Sequence, residues 1–382
     1  MHHNLNILLY FDWAFQLFLL SFLVQPMLLL IIYLLRKLFP VPAIQPQKTN
    51  SHKQYQFGIV ITAHRETIFI PPIIDSLLRQ TYSLFHVYVV ADDCDISGLN
   101  FDDPRILLLK PPIPLNTNSK SIDYAVEHFK DDDSVIVILD PDNLVHPQFL
   151  EVLNNWYNKG MKAVQGNLLS KNSGNRYEIM DNCGALFNNF IDRDMRSLLG
   201  LSTNICGSGI SVDKVIYQKI IYDNRSLQGG FDKHMQLDIV KNVPRIAYAR
   251  DAILFEEKIS DSKSMENQRI RWINSYFKFL LGSVSLFLTG IKKMDFNISF
   301  FGYNLIRPPY FLLVLLAALF IGLDFSMHSP QMAGAWLLAL LLFILSFIGI
   351  IILHASDKRT QKGIFYMPLF LYHQVRSLLR LK

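Results

Sequence analysis

Cysteine is scarce in this chain of 382 residues, and long uncharged runs are not. The three cysteines, Cys94, Cys183 and Cys206, form no CxxC or CxxH spacing. An odd count without such spacing excludes a disulfide framework and a zinc site and leaves reduced thiols as the expectation. Internal repeats and low-complexity tracts are absent too. Positive charge is missing from the first ten residues and from residues 324–331. There is also no basic stripe of the kind that tracks a nucleic-acid backbone, because the Lys and Arg residues gather at the borders of apolar segments. Nucleic acid is therefore excluded as a partner.

What is abundant is apolar sequence: 51% of the residues are hydrophobic and the mean hydropathy is +0.22. Residues 13–35 and 332–353 carry no charge over 23 and 22 positions. Each run is long enough for a helix crossing a ~30 Å hydrocarbon core, which takes ~20 residues. A shorter run, 308–323, extends back through Tyr303, Phe301 and Phe300 past Arg307, whose charge is expected to snorkel to the interface. The first run is too long for a signal peptide, lacks a cleavage site and has no Lys or Arg before it, so an uncleaved anchor is expected. Arg36 and Lys37 follow the first run. Lys278, Lys292, Lys293 and Arg307 precede the second, and Lys358, Arg359 and Lys362 follow the third. The positive-inside rule then gives a multi-pass cell-membrane protein with the N-terminus outside and both the middle region and the C-terminus inside.

Three regions follow. Residues 1–53 form the anchor and a stiff connector containing Pro40, Pro42 and Pro46. Residues 54–272 have the texture of an α/β domain. Short β-rich runs at 57–62, 86–91, 105–109, 135–139 and 163–166 alternate with amphipathic stretches at 71–80 and 121–129. That alternation predicts a mostly parallel sheet covered on both faces. Residues 273–382 hold an interfacial or re-entrant helix at 279–291, two spans, and an amphipathic tail at 364–382 lying on the membrane.

The chemistry gathers at strand ends. The run Val135 to Leu139 closes in Asp140-Pro141-Asp142-Asn143. In an open parallel sheet ligands bind beyond the carboxyl ends of the strands, and two carboxylates there can reach a hard divalent cation. The alternative is an acidic turn. The second strand closes in Asp92-Asp93-Cys94-Asp95, where Asp92 can take hydrogen bonds from a ribose or base, or can merely be solvated. The first closes in Thr62-Ala63-His64-Arg65-Glu66, with His64 expected to be structural. Lys120 precedes a helix and suits either a phosphate or the open surface. Further on, Gly229-Gly230-Phe231-Asp232 offers a carboxylate that can serve as a general base. Arg269 or Arg271 can brace a diphosphate, and Trp272 can stack on a sugar ring. Lipid headgroups and the membrane interface are the competing uses of those three residues.

Taken in order, these pieces resemble the family 2 glycosyltransferases with a GT-A fold, in particular the membrane-bound branch that includes cellulose and hyaluronan synthases. The resemblance spans residues 57–272. It rests on Val60 to Glu66, Val89 to Asp95, Leu139 to Asn143 with Pro147, Gly207-Ser208-Gly209, Asp232, and Gln268-Arg269-Ile270-Arg271-Trp272. It implies a Rossmann-like GT-A domain with about three transmembrane helices and interfacial amphipathic helices. It also implies an inverting hexosyl transfer that depends on Mg²⁺ or Mn²⁺. Asp140 and Asp142 would hold the metal; Glu66, Asp92, Lys120, Asp140, Arg269 and Arg271 would bind the nucleotide sugar. Asp232 would be the base, while Gln268, Trp272, Gly207 and Gly209 would shape the acceptor and diphosphate site. The implied partners are a nucleotide-diphosphate sugar, with UDP as the expected nucleotide, a polysaccharide or lipid-linked acceptor, and membrane lipids. A homo-oligomer or an export partner is left open. The sequence departs from the family at Phe231, where an acidic residue usually stands. The alternative function is therefore a silent nucleotide-sugar-binding subunit that supports a partner synthase.

Overall fold

Alternate residues of a β-strand face opposite sides, so a strand apolar throughout requires cover on both faces. The computed structural model describes residues 2–39, 53–222, 230–327 and 329–381. The connector expected at Pro40, Pro42 and Pro46, together with Gly229, lies outside the described residues. Helix α1 (His2–Leu38) leads to β1 (Phe57–His64), α2 (Ile70–Leu78), β2 (Phe85–Asp92), β3 (Ile106–Leu109), α3 (Asn118–Glu127) and β4 (Val135–Leu139). Next come β5 (Leu144–Val145), α4 (Phe149–Asn158), β6 (Ala163–Ser170), α5 (Arg176–Asn189), a π-helical turn (Phe190–Asp194) and α6 (Met195–Leu198). The domain closes with β7 (Ile210–Asp213), α7 (Lys214–Tyr222), α8 (Phe231–Asn242) and β8 (Ala247–Glu256). The rest is helical: α9 (Ser262–Lys292), α10 (Phe296–Ile306), α11 (Tyr310–Ser326), α12 (Pro330–His354), α13 (Lys358–Lys362) and α14 (Met367–Leu378).

The eight strands form one sheet in the order β3-β2-β1-β4-β7-β6-β8-β5. Its first half, β3-β2-β1-β4, is parallel, and β6 pairs parallel with β8. Strand β7 enters antiparallel between β4 and β6, and the short β5 runs antiparallel to β8, so the sheet is mixed. Ile59, Ile61, Val87, Val89 and Val137 pack on one face against Ile73 and Leu77 of α2 and Phe149 and Leu153 of α4. Val60, Val90, Ile136 and Ile138 pack on the other against Ile122 of α3 and Ile239 of α8. The carboxyl ends of β1, β2 and β4 consequently share one edge, and both faces beside that edge are closed.

Among the described residues, two helical segments, Tyr10–Leu38 and Pro330–His354, are long and apolar enough to cross a membrane, and α10 with α11 makes a third if the bent pair is one span. The span expected across residues 300–323 is broken: α10 and α11 meet at 68°, at Arg307-Pro308-Pro309. Two consecutive prolines without backbone N–H groups account for the break. Arg307 does not snorkel. Its guanidinium donates to Asp192 at 2.8 Å, and both side chains are only 9% exposed. Asp192 also binds Arg196 at 2.8 Å, so the arginine is drawn inward by a carboxylate on the π-helical turn. The uncharged run 279–291 is likewise no separate interfacial helix, because it is the second half of the 31-residue α9. Helix α1 joins the bundle through polar contacts, Gln25 with Asn304 at 2.8 Å and Ser21 with Tyr303 at 2.6 Å, which are suited to helix association in an apolar medium.

Removing the carboxylate from a buried ion pair leaves its cations uncompensated, at about 3–5 kcal/mol. Asp192→Ala is expected to lower stability by that order, measured by thermal unfolding of the detergent-solubilised protein. Removal of the exposed Asp95 carboxylate is expected to change little.

Candidate active site

The turn after β4 is locked before any ligand enters. The backbone N–H of Asp140 donates to Ser208 Oγ at 3.0 Å and to Asn143 Oδ1 at 3.1 Å, and Ser208 and Asn143 are themselves hydrogen-bonded. Gln165 holds the same loop, donating to the Ser208 carbonyl at 2.9 Å and accepting from the Cys206 N–H at 3.0 Å. Gly207 and Gly209 both have positive φ, +81° and +71°. A side chain at Gly209 would also collide with Leu254 at 2.8 Å. Glycine is therefore required there on two counts. A Cβ on Gly207 would lie 3.6 Å from that of Asp232, so the loop brings the first turn of α8 against the end of β4.

Three further carboxylates lie near enough for their charge to act on Asp140. Burial, then Asp142, Glu256 and Asp232 in that order, push the Asp140 carboxyl up to about 7. Burial and then Glu256 raise Asp142 as well, against the opposing charge of Lys171, which donates to the Asp142 carbonyl. Glu256 was not anticipated from sequence. It ends β8, whose apolar pattern is interrupted by Arg250 and Asp251, so that no strand was expected there. All the converging donors are carboxylate oxygens that repel one another, an arrangement that suits a hard divalent cation. Among the described residues the one compact group of histidine and carboxylate ligands is His86, Asp132 and Asp133, at the amino ends of β2 and β4. That is the opposite edge. There Asp133 is already bonded by His86 at 2.9 Å and by Tyr88 at 2.5 Å.

Beside the carboxylates lies a recess of about 590 Å³, lined by Pro114 to Lys120 and by Gly230 and Phe231. It opens at the N-terminus of α3, where Thr117 caps the helix by accepting from the Lys120 N–H at 3.3 Å. Free N–H groups and the helix dipole at such an end favour an anion. Lys120 is exposed on the wall of the recess. Asp92 is only 2% exposed and supports the recess from behind. Its two oxygens accept from the Leu115 and Asn116 N–H groups at 2.7 and 2.8 Å, and His64 contacts it at 3.0 Å. His64 is thus structural, as expected. Glu66 stands exposed in the turn after β1 and is not among the carboxylates acting on Asp140.

The residues of the Gln268–Trp272 segment divide between two faces of α9. Arg269 is 6% exposed; its guanidinium donates to Asp181 of α5 and lies over the rings of Trp272 and Phe370, at 4.2 and 5.2 Å. Lys258 bridges Asp181 to Glu256, joining this helix to the carboxylate group. Arg269 is therefore occupied, and of the two arginines Arg271 is the exposed one. Gln268 has a buried carbonyl oxygen without a hydrogen-bond partner, and Trp272 is 52% exposed. Further along the same face, Ser275 and Phe279 abut Gly230, next to Phe231 and Asp232.

The model of the family described as glycosyltransferase like family 2 matches residues 54–275. The chain is a family 2 glycosyltransferase. A solved structure of the mannosyltransferase PcManGT from Pyrobaculum calidifontis, in complex with GDP-Man and Mn2+, is similar over 96% of this chain and 98% of that one. The identity is 12% and the TM-score 0.55. Structures of S. aureus TarS 1–349, without and with UDP, are similar over 85% of this chain and 91% of theirs, at 12% and 13% identity and TM-scores of 0.41 and 0.42. The likeness to the mannosyltransferase shows the GT-A fold, and the TarS structures add no further argument. No curated protein matches the chain in sequence.

The raised Asp140 carboxyl gives the glycosyltransferase a pH signature. The folded protein keeps a proton that the unfolded chain releases near the ordinary value of 3.8. Stability from this group is therefore present below about pH 4 and is lost as pH rises towards about 7. In the absence of metal, Asp140→Asn is expected to stabilise the protein at pH 8 by roughly 1–3 kcal/mol and to have little effect at pH 4. Melting curves in EDTA at the two pH values measure this.

Proposed function

We propose that this glycosyltransferase moves a sugar, with inversion at the anomeric carbon, from a nucleoside diphosphate donor to a polysaccharide or lipid-linked acceptor at the cytoplasmic membrane face. The observation that carries the reading is the meeting of Asp140, Asp142, Glu256 and Asp232 beside the recess at the N-terminus of α3. Asp140 and Asp142 are the residues that would hold Mg²⁺ or Mn²⁺, and the bound cation would supply positive charge to the departing diphosphate. Lys120 and the α3 N-terminus would hold the donor phosphates. Asp92 acts through the loop it braces. Asp232 would accept the proton of the acceptor hydroxyl as its oxygen bonds to the anomeric carbon, while the electrons of the breaking carbon–oxygen bond leave with the diphosphate. Arg271 and the exposed side of Trp272 would offer the acceptor a cation and a flat apolar face, with Gln268 beside them on α9.

The cytoplasmic orientation is supported by the basic residues at the borders of the apolar runs, Arg36, Lys37, Lys292, Lys293, Lys358, Arg359 and Lys362. The donor expected from the resemblance is a UDP-sugar. Because the similar mannosyltransferase was solved with GDP-Man and Mn2+, GDP-sugars belong in the same screen.

The test is hydrolysis and transfer from UDP- and GDP-hexoses by the purified full chain with Mn²⁺ or Mg²⁺. Asp140→Asn and Asp232→Asn are each expected to lower turnover about 10²-fold or more. Full activity in both variants overturns the proposal. Donor binding without turnover in the wild type would instead favour the silent-subunit reading that Phe231 suggests.

A further inference from the structure

Glu266 lies on α9, two residues before Gln268, and is 3% exposed. A carboxylate this deep is costly without partners, and it has three, all from the other end of the chain. His373 Nδ1 is 3.1 Å away, Arg376 is at 3.4 Å, and Arg380 donates to its second oxygen. Ser377 Oγ adds a hydrogen bond to the Glu266 carbonyl at 3.4 Å. Positions 373, 376, 377 and 380 fall on one side of α14 and the turn after it, at helical spacing. The C-terminal segment, expected to be an amphipathic helix, docks on α9 through these basic residues. Tyr372 and Leu379 point outward, 57% and 81% exposed. From the same helix Phe370 covers the Arg269 guanidinium, whose partner is Asp181.

Helix α9 is thereby held on one side by α14 and α5 and presents another side to the start of α8. Glu266, Arg269 and Ile273 form the buried side. Gln268, Arg271, Trp272 and Ser275 lie on the stripe that leads to Gly230. Rotation or sliding of α9 would displace that stripe first, whereas Asp140 and Asp142 stand on the turn after β4 and Lys120 on α3, none of them on α9.

We propose that Glu266 is a positioning residue for glycosyl transfer. By clamping α14 onto α9 through His373, Arg376 and Arg380, it sets the face of α9 that meets the acceptor, which makes the C-terminal helix a working part of the acceptor site. This rests on the reading of Gln268, Arg271 and Trp272 as acceptor-facing.

Two reactions of the full chain separate the clamp from a general loss of structure. One is donor hydrolysis, in which water is the acceptor. The other is transfer of labelled hexose to the endogenous acceptor in membranes containing the protein. Glu266→Gln is expected to lower transfer about tenfold while hydrolysis stays within about twofold, because a small misplacement remote from the chemistry penalises the positioned reactant. The double variant Arg376→Gln/Arg380→Gln, altered only at half-exposed side chains, is expected to shift the same ratio in the same direction. Equal loss of both reactions, or loss of neither, overturns the proposal. Unchanged transfer in Arg271→Ala and Trp272→Ala overturns the acceptor reading, and this inference with it. Amide hydrogen exchange needs no substrate: both clamp variants should expose residues 367–378 and 266–273 together. Protection of 266–273 that stays at the wild-type level overturns the clamp whatever the activity.

Discussion

The hydrogen bonds that Asn143 and Ser208 share with the Asp140 N–H hold the rest of the site in place. Like charges drawn together would separate if the backbone beneath them could relax. Here Asp140 and Asp142 stand on the turn after β4, and the loop fastened to that turn brings Gly207 against Asp232 of α8. Fastening the turn to the loop keeps Asp140 and Asp232 together against their repulsion.

From that centre a chain of alternating charges runs outward: Glu256, Lys258, Asp181, Arg269. Lys258 and Asp181 are paired on both sides, and Arg269 ends the chain between the rings of Trp272 and Phe370. The chain ties β8, α5 and α9 to one another. It also explains why two neighbouring arginines of the same short segment have different surroundings, Arg269 inside the protein and Arg271 at its surface.

Much of this was legible in the sequence. Strands with both faces buried announce themselves by unbroken apolar runs, and β1, β2 and β4 were found with their polar ends, hence Asp92, Asp140 and Asp142. Glu256 was not, because Arg250 and Asp251 break the pattern of the strand that delivers it. The inward turn of Arg307 and the pairing of the α14 cations escaped the sequence for a common reason. A charge beside an apolar segment looks like a headgroup contact until its partner is known, and here the partners, Asp192 and Glu266, lie more than a hundred positions away in sequence. Local pattern carries no information about a pairing of that range. The continuity of α9 was hidden similarly, since its first half is charged and its second apolar, and a single helix passes between the two environments.

The bend at Arg307 has a mechanical meaning. Asp192, which receives Arg307, also accepts the Asn204 N–H through its backbone carbonyl at 3.1 Å, and Asn204 lies three residues before Gly207. Two bonded contacts therefore separate the start of α11 from the loop that carries Asp140's support. An ion pair and one backbone hydrogen bond are thus the whole distance between the break in the helical region and the loop that carries Ser208, so the two halves of the protein meet as one packed body at this corner.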